Sequence, residues 1–342
     1  MNHLKCVIAL ALLAAGLPAS PQGINGAPST SVAVAGVAYR GVTAAMWTEI
    51  DAQRAAFGDP NDCHAKVNAL PTSGGVTLSA GADINAALAS NSIVFLNGGT
   101  YKLSSTISLD AGKKLIGVAG QTVTIDASAV QQAVYLRNNA VLANVNIRNA
   151  IDVGVNFYNA STDSGSSNSL IYRVSVGATG LASSSNANGV GFGVWYGAAN
   201  NCLVSTEAFD TWNEDATGSG NATGSGGNAD GYRNSYSAHH NTFIDSHSFR
   251  NGDDGFDMWE GGVAFMYLST SHDNGKTTGQ TITGDGNGVK LGIGSVSHKL
   301  YKVNAFSNKA NGFDINGNTV QPTLVQTSAS GNGGTNYVGI VQ

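Results

Sequence analysis

A chain of 342 residues with a formal net charge of -5, 11% charged and 42% hydrophobic residues is too apolar and too weakly charged for a disordered polymer. It carries no basic run, which argues against nucleic acid as its partner. With 45 glycines against 6 prolines, and polar weight on Asn, Ser and Thr, the composition suits a solenoid of short strands and tight turns.

Residues 1–20 read as a secretory signal peptide: Lys5 supplies the positive region, 6–16 is apolar, and LPAS offers a cleavage zone. The run is short for a spanning helix and no later segment could cross a membrane, so a secreted, extracellular protein is expected. Cleavage would remove Cys6 and leave Cys63 and Cys202, either paired or as two free thiols; spacing does not decide between them. Residues 21–75 form an extension outside the repeats, with a helix expected over 42–57 and ended by GDPND. A short amphipathic helix over 80–89 is placed to cap a solenoid occupying 76–342, whose repeat body begins near Ser92.

From there short strands alternate with polar turns. Gly189, Gly231, Gly255, Gly288 and Gly312 open similar runs at separations of 42, 24, 33 and 24 residues, and a second recurrent strand appears at 201–209, 241–249, 263–272 and 298–306. The unit is about 24 residues, with excess length in loop inserts at 212–228 and 276–284. Such a return, without helical spacers or hairpin signals, predicts an all-β parallel β-helix. Both inserts would emerge from one edge, as a binding wall or as tolerated loops.

Stacking the Gly-led runs in register puts the residue two past each glycine in one column: Gly191, Arg233, Asp257, Lys290 and Asp314. Alternation sends Tyr232, Phe256, Val289 and Phe313 to the core and the charged column outward. Asp230, Asp253 and Asp254 occupy the turns entering the same strands, so four carboxylates converge near Lys290. A single Asp-Gly merely shapes a turn, but four aspartates in register would repel unless a cation were bound. All-oxygen ligands suit Ca²⁺ better than Zn²⁺. Asp285 and Asn287 are either further ligands or turn formers. For Lys290, desolvation and a cation would disfavour the ammonium while the aspartates favour it, so the sign depends on geometry.

NADGYRN (228–234), NGDDGFDMWEGG (251–262) and GDGNGVKLGIG (284–294), with FLNGGTYKLSSTISL upstream, resemble the pectate lyases of polysaccharide lyase family 9 over roughly residue 92 to the C-terminus. The spacing from Asp230 to Asp253 departs slightly from that family's pattern. The resemblance implies a right-handed parallel β-helix, Ca²⁺ held by Asp230, Asp253, Asp254 and Asp257, and Lys290 as the base that removes a proton.

The implied reaction is β-elimination in a 4-linked polyuronate such as pectate, with Lys290 taking the C5 proton. Arg233 is expected to hold substrate carboxylates; Arg250, Lys276, Lys299 and Lys302 are further candidate cations for the polymer. The expected partner is an acidic polysaccharide, with no nucleic acid, no membrane and a monomeric chain. Competing readings are a β-helix hydrolase using paired aspartates, which leaves Lys290 idle, and a non-catalytic polysaccharide-binding solenoid. His239, His240, His272 and His298 are read as surface or turn residues.

Overall fold

The structure, a computed structural model, describes residues 41–159, 164–180, 188–213, 228–276 and 284–341. Residues 1–20 and almost all of the two loop inserts, read as a binding wall or as tolerated loops, lie outside these. Among the described residues no helix is long and apolar enough to cross a membrane.

Strands of two to eight residues cannot bury an apolar face alone, so each is stabilised by the copy above and below it. One wall of the solenoid is a nine-stranded parallel sheet that includes Val190–Val194, Tyr232–Asn234, Phe256–Asp257, Val289–Lys290 and Phe313–Asp314. A seventeen-stranded parallel sheet makes the second and third walls. Its two longest strands, Val141–Arg148 and Leu170–Gly177, run through both walls; later coils break there into pairs such as Cys202–Val204 and Glu207–Phe209, or Asn241–Ile244 and His247–Phe249. Each coil therefore holds three strands, where the sequence pattern suggests two. The bend between second and third walls is a single left-handed residue, repeated as Ser205, Asp245, Leu268, Lys302 and Gln326. None of these is Gly or Pro, so no local punctuation marks the corner.

Side chains facing inward stack rung on rung. Phe192, Tyr232 and Phe256 pack face to face at centroid separations of 4.9 and 4.5 Å, within one core that also holds Val289, Phe313, Met258 and Leu291. At the corner between third and first walls, Asn251, Asn274, Asn308 and Asn332 form a ladder in which each amide Nδ2 donates 2.9 Å to the next Oδ1. A turn that would otherwise bury polar backbone is thus satisfied from inside.

The register corrects one expected alignment. Phe192 pairs with Tyr232 and Gly193 with Arg233, so Gly191, not Gly189, leads its rung and Gly193 stands in the charged column. That rung repeat is 40 residues, the difference between 191 and 231. Three alternating glycines in GVGFGV leave the choice open in the sequence; Gly189 instead turns at φ 69° against the Trp212 carbonyl.

Among the described residues three helices precede or open the solenoid. Helix α1, Ala44–Phe57, starts where Thr43 Oγ1 accepts from the Met46 N–H at 3.2 Å and stops at Gly58, φ 67°. Helix α2, Cys63–Asn68, follows. Trp47, Ile50 and Cys63 pack on Ile244, Phe265, Tyr267 and Tyr301, outward residues of the second wall. Cys63 is disulfide-bonded to Cys202, and Asn61 Nδ2 donates 2.8 Å to Thr242 Oγ1. The extension is thereby a strap across successive coils. Helix α3, Ile84–Ser90, sends Ile84 and Leu88 into the solenoid core at its N-terminal end; Val76–Leu78, before it, already pairs with Ile93–Leu96, so pairing begins before the strands near Ser92.

Candidate active site

Four rungs of the first wall carry the candidate residues. Arg233 pairs with Asp257, Asp257 with Lys290, and Lys290 with Asp314, while Tyr232, Phe256, Val289 and Phe313 occupy the core side. The column faces away from the core, yet Arg233 and Asp257 are buried and the Lys290 side chain is only 14% exposed. Buried charge of this kind persists only when paired or coordinated.

A second ladder, in the turn just before these strands, explains the geometry. The Asp254 N–H donates to Asp230 Oδ1 at 3.1 Å, the Asn287 N–H to Asp254 Oδ1 at 2.7 Å, and the Asn311 N–H to Asn287 Oδ1 at 3.1 Å. Asp230, Asp254, Asn287 and Asn311 thus occupy one position of successive coils. One oxygen of each side chain satisfies the next rung. In Asn the other terminal atom is an NH₂ donor; in Asp230 and Asp254 it is a second bare oxygen.

Asp230, Asp253 and Asp254 each bring a carboxylate oxygen within 4.8 Å of the others. All three residues are buried, and Asp230 Oδ2 and Asp253 Oδ1 have no hydrogen-bond partner. Asp254 Oδ2 has Lys290 Nζ at 3.0 Å. Asp257 is not one of this trio: its Oδ1 accepts from the Trp259 N–H at 3.1 Å, and it acts on the cluster through its charge. Orphaned, buried oxygens on Asp230 and Asp253, beside an Asp254 oxygen shared with Lys290, fit a hard divalent cation such as Ca²⁺.

The electrostatics point the same way. Burial, then the charges of Asp257 and Asp254, pushes the Asp230 carboxyl far above its usual range; burial with Asp254, Asp230 and Asp285 does the same to Asp253. Burial pushes Asp254 up to about 7, against the opposing pull of Lys290. Asp257 is also raised by burial, with Lys290 and Arg233 opposing. For Lys290 burial alone would favour the neutral amine, but Asp254, Asp257, Asp285 and Asp253 together outweigh it and hold the ammonium above its ordinary range. Asp285, whose Oδ2 lies 3.4 Å from Nζ, is the exposed member of this group.

Arg233 is held by Asn228 Oδ1 at 3.1 Å and lies over the Tyr236 ring at 5.7 Å; Asp230 and Asp257 favour its charge. The other expected polymer-binding cations each make contacts within the protein. Arg250 closes on Asp210 at 3.0 and 2.8 Å and stacks on Phe249. Lys299 Nζ donates to Thr323 Oγ1 at 2.9 Å and Ser297 Oγ at 3.1 Å. Lys302 pairs with Glu49 of helix α1, so it anchors the strap on the second wall. Lys276 reaches back to the Ser307 carbonyl at 3.0 Å. His298, read as a surface or turn residue, is instead buried, and its Nδ1 accepts from the Ala264 N–H at 3.2 Å.

Fold and site together define a parallel β-helix with an acidic turn beside a strand lysine on one wall. The family model described as Pel9A-like, right handed beta helix region, matches residues 72–341, and the chain belongs to that family. Among curated proteins, Pectate lyase L of Paenibacillus polymyxa (strain SC2) is 28% identical over 280 residues, covering 73% of this chain and 58% of the relative. The chain resembles the crystal structure of pectate lyase Pel9A with a TM-score of 0.61 at 20% identity, covering 73% of this chain and 64% of that one. A rhamnogalacturonan lyase structure gives 0.58 at 17% identity, with coverages of 69% and 65%. At such identities the two structures speak to the fold alone. The chain spans less than two thirds of the length of each of these relatives.

Proposed function

We propose that the protein is a secreted, Ca²⁺-dependent polysaccharide lyase that cleaves pectate by β-elimination, with Lys290 as the base. The observation that carries the reading is the contact of Lys290 Nζ with Asp254 Oδ2 at 3.0 Å, beside orphaned oxygens of Asp230 and Asp253. Membership of the Pel9A-like family supports the reaction class, and the Cys63–Cys202 disulfide supports an oxidising compartment.

Asp230, Asp253 and Asp254 would hold Ca²⁺, with Asp257 completing the negative charge around it. Bound there, the ion would supply positive charge that offsets the carboxylates' hold on Lys290 and would draw electron density from a substrate carboxylate. Lys290, relieved of that hold and partly desolvated, presents a neutral amine to the C5 proton of a uronate. The proton passes to Nζ, the C5–H pair becomes the C4–C5 double bond, and the C4–O4 bond breaks with its electrons going to O4. Solvent protonates O4, and no water is added across the bond. Arg233, fixed by Asn228 and Tyr236, orients a neighbouring uronate carboxylate. The substrate's negative charge is thus met by Arg233 and the site cation despite an acidic protein.

The test is a panel of polygalacturonate, methyl-esterified pectin and alginate, each with Ca²⁺ or a chelator. Chelator-sensitive ultraviolet absorbance from unsaturated ends on polygalacturonate is the expected result. New reducing ends without that absorbance would mean hydrolysis; no cleavage would leave a binding solenoid.

A further inference from the structure

The turns that follow the site strands carry an apolar ledge on three successive coils. Trp259 stands two residues past Asp257, with the core residue Met258 between them, so alternation points it outward beside the charged column. Its N–H donates to Asp257 Oδ1 at 3.1 Å, yet the side chain is half-buried and joins none of the hydrophobic clusters among the described residues. On the next coil Ile293 is 44% exposed, and on the one after it Val320 is 39% exposed. Gly292 matches Trp259 in register, each standing two residues past the paired Lys290 and Asp257. It turns at φ 69°, and a Cβ there would lie 2.0 Å from the Met258 carbonyl oxygen. Only glycine fits, so the Lys290 rung sets no side chain beside the indole at that position.

The ledge differs in charge from the column it adjoins. Turns 259–263, 292–298 and 316–321 contain no lysine or arginine, and the one acid they hold, Glu260, is exposed. Lys299, just past the second turn, is held by Thr323 and Ser297. A uronate carboxylate placed on the ledge would gain no cation and would face Glu260. A sugar ring whose carboxyl is a methyl ester loses nothing to Glu260 and buries its apolar C–H face on the indole and Ile293. The column thus suits a free carboxylate and the ledge an esterified one.

We infer that Trp259 and Ile293 form a subsite for an uncharged, methyl-esterified uronate next to the sugar held at Lys290, which makes a partly esterified polymer the preferred ligand. The inference rests on the functional reading above, so its test uses binding rather than turnover. In a Lys290→Ala host with Ca²⁺ present, calorimetry measures affinity for hexagalacturonate and for its partly methyl-esterified counterpart. Trp259→Ala is expected to weaken binding of the esterified oligomer by about five- to thirtyfold, and Ile293→Ser by about three- to fivefold. Binding of the free acid should fall less than about twofold in both, with thermal transitions unchanged. Ile293 is exposed, so its serine variant keeps the test independent of any folding loss at Trp259. Trp47, Trp195 and Trp212 are buried, so a blue shift in emission on binding the esterified oligomer, lost in Trp259→Phe, reports contact at the ledge. Equal affinities in the host and both variants, equal losses on the two oligomers, or no emission shift in the host would overturn the ledge while leaving the active-site reading intact. Failure of the Lys290→Ala host to bind either oligomer would overturn the functional reading, and the ledge with it.

Discussion

Lys290 and Asp254 face each other across one rung of the solenoid, Nζ to Oδ2 at 3.0 Å, while the other oxygen of Asp254 accepts from the Asn287 N–H at 2.7 Å. One aspartate thus ties the coil above it, the lysine and the acidic trio together. Removing it should disturb fold, metal and base at once, so sharper probes lie on either side of it.

Cation binding should stabilise the protein through the orphaned oxygens. At a Ca²⁺ concentration about 100 times the dissociation constant, linkage alone gives about 2.7 kcal/mol. Calorimetric melting with and without a chelator is expected to show a higher transition with Ca²⁺. Asp230→Asn, which keeps the Oδ1 acceptor for the Asp254 N–H but removes the bare oxygen, should abolish most of that shift. Equal shifts in both proteins would place the cation elsewhere.

The strap should depend on its covalent tie. The disulfide joins residues 139 apart in sequence, and loss of such a crosslink typically costs about 2–5 kcal/mol. Cys63→Ala combined with Cys202→Ala is expected to lower the denaturation midpoint and to expose helix α1 to proteolysis near Arg54. Unchanged proteolysis would mean that Asn61, Glu49 and the apolar contacts suffice.

Beneath the strap Asp59 is buried among Thr242, Tyr267 and the Asn61 N–H, and burial pushes its carboxyl up to about 6. An unfolded aspartate titrates near 3.9, as a typical value. Because the folded value is the higher one, Asp59 contributes stability that is fully present below about pH 4 and lost as pH rises through about 6. Asp59→Asn should flatten that part of the stability profile, gaining relative to the parent at pH 7. An identical slope between pH 4 and 6 in both proteins would remove Asp59 as the cause.

The Asn ladder predicts a sizeable core penalty. Asn274 donates to Asn308 and Ser271 and accepts from Asn251, all buried. Asn274→Ala orphans groups on two neighbouring coils at about 1–3 kcal/mol each. Urea titration should show a loss of that order; a loss below 1 kcal/mol would mean the ladder relaxes around the gap.

Much of this was legible before the structure. Phe256, Val289 and Phe313 alternate with Asp257, Lys290 and Asp314, and that period fixes which residues share the outer column once coils are stacked. The three walls were not legible, because Ser205, Asp245 and Leu268 turn the chain without Gly or Pro. The Asp ladder was half legible. Asp-Gly, Asp-Gly, Asn-Gly and Asn-Gly stand at 230, 254, 287 and 311, and this column aligns Asp230 with Asp254, not Asp253. The contacts of Arg250, Lys299 and Lys302 were not legible, since a sequence shows a cation but not the Asp210, Thr323 or Glu49 beside it.

The central claim is that Lys290 removes the proton. The direct measurement is the rate of unsaturated-end formation on polygalacturonate at saturating Ca²⁺ for the parent and for Lys290→Ala, with circular dichroism and Ca²⁺-dependent melting recorded on both. The account predicts a fall of about 10²–10⁴-fold, as for loss of a positioned base, with the fold and the Ca²⁺ shift retained. A Lys290→Ala protein that still folds, still responds to Ca²⁺ and turns over within a few-fold of the parent would contradict it.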